Sequence, residues 1–176
     1  LPDNFHNFEK LKTLHFNKCD LSKLPATIGE IGTLEELSVN ENSISSLPTT
    51  FGNLKNVQKL SLNHNDFSTF PEVINEMASL KKLNMEYNKL AEFTADLKHL
   101  VELEAISLKW NEISVFDPVF PRGSKIDYIN LIGGNPLEDL PESLLKLNHL
   151  EYLSFHDSHI DIGRPKIQTI VETLNK

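Results

Sequence analysis

The sequence repeats itself with a period of 23 residues, and this constrains the fold more than any other feature. Segments that begin at Leu11, Leu34, Val57, Leu80, Leu103, Ile126 and Leu150 align, with five spacings of 23 residues and a last spacing of 24. Apolar residues recur at seven places in each unit. Of 46 such positions only Gly123 is not apolar, whereas a chain that is 39% hydrophobic would give about 18 by chance. A period of this length predicts a stack of supersecondary units that share one core.

Each unit reads as one strand followed by a return segment. Apolar fourth and sixth positions flank a polar fifth, as in Leu60, Ser61 and Leu62, which is typical of a strand with one solvated face. Four return segments start with proline, a residue that suits the beginning of a helical turn. The pattern therefore predicts seven stacked parallel strands with returns of one or two helical turns, except at residues 116 to 125, where two prolines and a glycine make the return irregular.

The repeat resembles the leucine-rich repeat family, as in LEELSVNENSISSLPTTFGNLKN (34 to 56) and VQKLSLNHNDFSTFPEVINEMAS (57 to 79). The resemblance implies an α/β fold: a right-handed solenoid with a concave parallel β-sheet and short helical or 3-10 returns on the convex side. We expect one domain over residues 1 to 176. Residues 1 to 10 form a partial repeat, residues 11 to 160 form seven units with the last incomplete, and residues 161 to 176 form a C-terminal capping helix.

The ends of the chain and one polar column lead to further expectations. In residues 1 to 10, Leu1, Phe5 and Phe8 match core columns, so we expect the chain to begin inside a repeat and to be part of a longer protein. One asparagine recurs where the strands end, and its side chain is expected to hydrogen-bond to the backbone of the turn. These strand-exit asparagines are Asn42, Asn65, Asn88 and Asn111. Cys19 occupies the same column in the first unit, and we expect it to be buried and unreactive.

Composition and motifs argue against several functions. A formal net charge of −8 disfavours nucleic acid, and no apolar run approaches the roughly 20 residues that cross a bilayer. The chain contains no nucleophile elbow, phosphate loop, dinucleotide fingerprint or metal-binding HExxH. The cluster of His156, Asp157, His159 and Asp161 has ligand-type side chains, but a strand and turn would point them apart. We therefore expect no catalytic residue, no metal and no cofactor.

The non-core strand positions are expected to line the concave face, which is the binding surface of such solenoids. The third, fifth, seventh and eighth positions of the units carry four lysines against four acidic residues, so this face is neutral overall. Aromatic residues gather there in the later units, and tyrosine and tryptophan are enriched in binding hot spots. The predicted contact patch consists of Tyr87, Trp110, Tyr128, Ile132, Tyr152, Lys109, Asn130 and His156. Packing of these rings on one another, as cross-strand pairs that stiffen the sheet, is the competing interpretation.

The resemblance implies a noncatalytic module that binds a protein or peptide through its concave face. A glycan is the alternative ligand, because a tryptophan and tyrosine platform also suits a sugar ring. Two more functions are compatible with the sequence: the substrate-recruiting accessory domain of an enzyme, and a spacer that binds nothing. The absence of Asn-x-Ser/Thr sites and of paired cysteines favours a bacterial surface or intracellular protein over a glycosylated animal receptor.

The glycine pair Gly133-Gly134 accounts for the single inserted residue of the sixth unit. We expect it to form a bulge where the strand ends, next to the predicted patch. Such a bulge often redirects a binding edge, and it is equally compatible with variation in a loop.

Overall fold

The computed structural model describes residues 5–174 and contains nine short strands in this range. In chain order the strands are β1 (Thr13–His15), β2 (Glu36–Ser38), β3 (Lys59–Ser61), β4 (Lys82–Asn84), β5 (Glu92–Phe93), β6 (Ala105–Ser107), β7 (Val115–Phe116), β8 (Tyr128–Asn130) and β9 (Tyr152–Ser154). Seven of them form one sheet in the order β1-β2-β3-β4-β6-β8-β9. All its neighbouring strands are parallel and pair residues one repeat apart, such as Leu37 with Leu60. The predicted repeat solenoid is confirmed.

The core is one continuous apolar column behind this sheet. The central residue of each of the five inner strands is buried, and the residue two positions later is buried beside it, as with Leu60 and Leu62. Because a strand alternates its side chains between two faces, these two positions point into the stack while the polar residue between them points out. No unit encloses its own apolar side chains, so stability comes from the interfaces between repeats.

Five 3-10 helices are present among the described residues, and four of them follow the predicted prolines. Pro25, Pro48, Pro71 and Pro141 each stand directly before a helix, in extended conformation. Their fixed φ and missing N–H group suit this place, because the first N–H groups of a helix have no partner within it. The helices are Phe5–Asn7, Ala26–Glu30, Thr49–Asn53, Glu72–Glu76 and Glu142–Lys146.

Two returns are extended, and the expectation of a helical return in the fourth repeat is wrong. β5 of the fourth repeat pairs with β7 of the fifth, and an isolated bridge joins Asp96 to Val119 further along. The fourth return has no proline to start a helical turn. It instead buries Phe93, whose ring stacks on that of Phe116 at a centroid distance of 5.8 Å. Aromatic residues favour the extended conformation, so the two returns form a small second sheet.

One α-helix, α1 (Pro165–Leu174), ends the described part of the chain. It buries Ile167 and Ile170 against the core next to the helix Glu142–Lys146. At the other end Leu1 lies outside the described residues. Phe8, expected in a core column, is exposed, and its ring touches Phe5 at a centroid distance of 5.9 Å. The prediction that Phe8 is buried is therefore wrong.

The strand-exit asparagines satisfy backbone groups of the turns, as expected, and they also bridge neighbouring repeats. The Nδ2 group of Asn65 donates to the carbonyls of Val39, in the previous repeat, and of Leu62, in its own, at 3.0 and 3.1 Å. Its Oδ1 accepts from the N–H of Ile44 at 3.0 Å. The prediction that Cys19 is buried is wrong: it is exposed. In the described chain no strand precedes β1, so a side chain in this column of the first repeat has no earlier strand to bridge.

Candidate functional site

The residue at the eighth position of every repeat lies in a left-handed turn just after its strand. The φ angles of these seven residues lie between 51° and 68°, and six of the seven are not glycine. None of them is β-branched, in keeping with the strong steric cost of this conformation for β-branched residues. The turn therefore projects one side chain per repeat along the same edge of the concave sheet. The seven residues are Lys18, Glu41, His64, Tyr87, Trp110, Gly133 and Asp157.

Three of these side chains form a stack, which we call the aromatic ladder: His64, Tyr87 and Trp110. The ring centroids of His64 and Tyr87 are 4.0 Å apart with planes 9° from parallel, and those of Tyr87 and Trp110 are 5.9 Å apart at 15°. Tyr87 is 40% exposed and Trp110 is 45% exposed. Tyr87 lies between the other two rings, so both of its faces are covered while its edge remains open to solvent. His64 was not in the patch predicted from sequence, although its place in the same column, 23 residues before Tyr87, would have identified it.

Gly133 makes room for the last ring of the aromatic ladder. A Cβ atom at this position would lie 2.7 Å from Cε2 of Trp110, so the indole rests against the glycine backbone. The turn itself is irregular, as the inserted residue predicted. Both Gly133 and Gly134 have positive φ, and the N–H of Trp110 is shared between the carbonyls of Ile132 and Gly133 at 3.1 and 3.0 Å.

Tyr128 and Tyr152 form a separate stack, the tyrosine pair. Their ring centroids are 4.5 Å apart with planes 8° from parallel. They occupy the third position of neighbouring repeats, at the start of the strands, five residues before the column of the aromatic ladder. At about 3.3 Å per residue this separates the two columns by roughly 15 Å along the strand direction. The predicted patch thus consists of two aromatic groups.

Asn130 supports the tyrosine pair from below. It is buried, its Nδ2 donates to the hydroxyl of Tyr128 at 2.9 Å, and its Oδ1 accepts from the N–H of Ile132 at 3.1 Å. The side chain of Asn130 is therefore buried instead of facing solvent, and its contact with a partner stays a prediction. Ser38 and Ser107, in the same fifth column, are buried as well. Their small side chains lie low in the sheet and hydrogen-bond to the seventh column, with Ser107 donating to Glu86 at 2.6 Å.

The remaining predicted patch residues lie at the strand exits of the fifth to seventh repeats. Lys109 and Ile132 are half-buried, and their backbone carbonyls accept from Tyr87 and Trp110 respectively. His156 is exposed, with its Nε2 3.4 Å from the carboxylate of Asp157. Lys109 and Ile132 thus belong to turns that hold the aromatic ladder, whereas the carbonyl of His156 accepts from the N–H of Gly133.

The concave face also contains a shallow trough of about 440 Å³ that sequence reasoning did not single out. It extends from the first repeats to Tyr128. At one end Glu36 accepts from His15 at 3.2 Å and from Lys59 at 3.3 Å. These two hydrogen bonds lower the pKa of Glu36 below its ordinary value, and the bond from Lys59 has the larger effect. The charged residues at the third position of three successive units, Glu36, Lys59 and Lys82, could have indicated that this part of the trough is charged.

Residues 5–174 contain neither a group of side chains arranged around a possible metal site nor a helix that could span a membrane. No three histidine, cysteine or acidic side chains in this range are grouped as they would be around a metal ion. This applies to His156, Asp157, His159 and Asp161, which the sequence had placed together. No helix in the same range has the length and apolar character of a membrane span.

Comparison with known proteins assigns the family. A family model described as a leucine-rich repeat region matches residues 3–163. A similar solved structure is that of a leucine-rich repeat protein of Leptospira interrogans, with 21% identity and a TM-score of 0.46 over 99% of this chain. The chain spans 61% of the length of that protein. No curated protein matches the sequence significantly. The family match covers nearly the whole chain and includes every strand described above: the chain belongs to the leucine-rich repeat family.

Proposed function

We propose that this domain is a noncatalytic interaction module that binds a protein or peptide through the concave side of its later repeats. The observation that carries this proposal is the exposure of Tyr87 and Trp110 on rigid turns. Large aromatic side chains usually bury most of their surface, and here two neighbours keep 40% and 45% of theirs in solvent. Tyrosine and tryptophan at such positions are the residue types that dominate protein interfaces.

The rings are already ordered before any partner arrives. Each ladder residue follows a strand of the sheet, and the backbone of Trp110 is hydrogen-bonded to the next repeat at Ile132 and Gly133. Stacking on the neighbouring ring fixes the side-chain torsions further. Binding therefore orders few side chains, and the entropic cost that normally reduces affinity is small.

A glycan ligand is the less favoured alternative for the aromatic ladder. A sugar ring binds an aromatic residue by lying on its face, and the faces of Tyr87 and Trp110 are covered by a neighbouring ring or by Gly133. The exposed ring edges carry partial positive charge, which suits backbone carbonyls and carboxylates of a protein partner. Recruitment of a substrate for an enzyme on the same polypeptide is compatible with the same surface.

The experiment is capture from the native extract with three double variants beside wild type. Tyr87→Ala/Trp110→Ala removes the ladder, and Tyr128→Ala/Tyr152→Ala removes the tyrosine pair. Val115→Ala/Val119→Ala is the matched control, because these valines are 48% and 44% exposed on the convex side. All variants are first checked for folding by circular dichroism. A captured protein is then purified, and its affinity for each variant is measured by titration calorimetry.

We expect the ladder variant to lose at least tenfold in affinity and the convex control to bind as wild type does. Equal affinity for all variants would place the interface elsewhere and contradict the proposal. Capture by none of them, combined with specific binding on a glycan array, would favour the glycan alternative. Loss of affinity in Val115→Ala/Val119→Ala alone would assign the interface to the second sheet.

A further inference from the structure

The residues at the third position of the units lie side by side across the concave sheet, and one of them has a short side chain between long ones. Strand pairing places Lys82, Ala105, Tyr128 and Tyr152 side by side on β4, β6, β8 and β9. Lys82 and Tyr128 have long side chains, and Ala105 between them has only a methyl group. All three residues line the trough. We call the space above Ala105 the notch.

The notch has the dimensions of one more ring in the tyrosine stack. Neighbouring strands of a sheet lie about 4.8 Å apart, and the two tyrosine rings follow that spacing with centroids 4.5 Å apart. One face of Tyr128 is covered by Tyr152. The next ring of the same stack would lie one strand further on, above Ala105, against the other face of Tyr128. Asn130 fixes this tyrosine through its hydroxyl, so the ring does not need to be positioned by a ligand.

The far wall of the notch carries a positive charge that the described chain does not neutralise. In the neighbouring repeats Glu36 pairs with Lys59 at 3.3 Å and with His15 at 3.2 Å. Glu86, the other acidic residue of the trough, accepts from the Ser107 hydroxyl at 2.6 Å. Within residues 5–174 Lys82 makes no ion pair, which leaves its ammonium group available to an anion.

We propose that the notch receives an aromatic side chain of the partner protein, stacked on Tyr128 above Ala105, with an adjacent acidic residue of the partner paired to Lys82. This inference rests on the proposed interaction function and specifies the partner chemistry for one end of the surface. A phenylalanine, tyrosine or tryptophan completes the stack. An aliphatic side chain fills the same space without a ring face, and a basic neighbour is repelled by Lys82.

The probes for the test are three capped tripeptides, titrated into the whole isotopically labelled domain and followed by NMR. The first has phenylalanine between two aspartates, the second has leucine between two aspartates, and the third has phenylalanine between two lysines. Chemical shifts of the backbone amides of Ser107 and Tyr128 report on the notch, because ring currents of a stacked side chain reach them. The amide of Cys19, at the opposite end of the sheet, reports on nonspecific effects.

The variant Ala105→Tyr fills the notch with a ring of the protein itself, while Ala105→Ser leaves it open. We expect saturable shifts with the first peptide only, their retention in Ala105→Ser and their loss in Ala105→Tyr. Lys82→Gln should weaken binding by about two- to fivefold, as for an exposed ion pair. Tyr128→Leu should abolish the shifts while the folded spectrum is kept.

Equal binding of the phenylalanine and leucine peptides, or unchanged binding to Ala105→Tyr, would overturn the notch as an aromatic site. Absence of saturable shifts with all three peptides would overturn it too. None of these results would contradict the interaction function, because loss of binding on removal of Tyr87 and Trp110 is measured separately, with a variant that leaves Lys82, Ala105 and Tyr128 unchanged.

Discussion

Single asparagines hold the strand exits of two repeats at once. Oδ1 of Asn111 accepts from the N–H of Leu90 at 3.1 Å, and its Nδ2 donates to the carbonyls of Met85 and Leu108 at 2.9 and 3.0 Å. All of these groups are buried. A buried backbone group without a partner costs about 1 to 3 kcal/mol.

Asn111→Ala should therefore lower the free energy of unfolding by about 2 to 4 kcal/mol. Urea denaturation followed by circular dichroism measures this loss. Asn148→Ala is the matched control, because Asn148 is exposed in a connecting turn and should change the value by less than about 0.5 kcal/mol. Similar losses in the two variants would contradict the bridging role of the strand-exit asparagine.

Gly133 should be required for the position of the tryptophan. Gly133→Ala places a Cβ atom 2.7 Å from Trp110 and keeps a positive φ, so we expect the indole to move. Trp110 is the only tryptophan in the sequence, and its fluorescence spectrum reports the change directly. Gly123→Ala is the control, because Gly123 has nearly the same φ as Gly133, +69° against +68°, and no atom within 4 Å of the added Cβ.

Both glycine variants should lose roughly 1 kcal/mol of stability from the backbone strain. Only Gly133→Ala should change the emission maximum and the accessibility of the indole to acrylamide. An unchanged spectrum in that variant would mean that the contact between the glycine and the indole does not determine the ring position.

At the scale of elements, α1 covers the last repeat. Ile167 and Ile170 on its inner side are buried, and Lys166 pairs with Asp139 at 2.6 Å. The ion pair lowers the pKa of Asp139, with the hydrogen bond from Lys166 as the main cause. Both groups are largely exposed, so burial of the two isoleucines contributes most of the stabilisation.

Ile170→Ala should lower the free energy of unfolding by about 2 to 4 kcal/mol, because it leaves a cavity between α1 and the core. Gln168→Ala is the control on the exposed side of the same helix, and it should be within about 0.5 kcal/mol of wild type. In hydrogen-exchange measurements, protection of the backbone amides should fall first in β9 and in the helix Glu142–Lys146. A uniform loss of amide protection over all seven repeats would contradict a local capping role of α1.

The elements that depend on the period were predictable from the sequence, and those that depend on side-chain size or turn geometry were not. Apolar spacing alone places Leu60 beside Leu83, and the prolines indicate where four helical returns begin. The second sheet was not predictable, because β5 and β7 are two residues long and exist only through their mutual pairing. The separation of the aromatic ladder from the tyrosine pair could be read from their different positions in the unit. The left-handed turns at Tyr87 and Trp110 could not be predicted, because these residues give no local signal for positive φ.

At the scale of the whole molecule, the 23-residue period also orders the surface charges. Five lysine and acidic pairs join residues one repeat apart in sequence: Lys12–Glu35, Lys18–Glu41, Lys59–Glu36, Lys89–Asp66 and Lys125–Glu102. Each pair is exposed and individually contributes less than about 1 kcal/mol. Together they reduce local repulsion in a chain whose formal net charge is −8, and they make stability dependent on pH.

Glu36 gives the most specific pH dependence, because it faces both Lys59 and His15. Its pKa is lower in the folded state than the ordinary value of 4.5. Its contribution to stability is therefore fully present above about pH 4.5 and is lost as the pH falls through the lower folded-state pKa. The side chain is about one-third exposed, so we expect this contribution to be below about 1 kcal/mol.

Glu36→Gln should destabilise the domain at pH 7 and should approach wild type in stability as the pH falls through the lowered folded-state pKa of Glu36 and the carboxylate of wild type becomes protonated. Urea denaturation at several pH values measures both differences. Glu151→Gln makes the same charge change at an exposed residue that has no ion pair in the described chain. Its difference from wild type should not follow the pattern of Glu36→Gln. A Glu36→Gln effect that does not diminish as the pH is lowered would mean that the side chain stabilises the trough through packing and neutral hydrogen bonds. The ion pairs of Glu36 would then have no electrostatic role in folding.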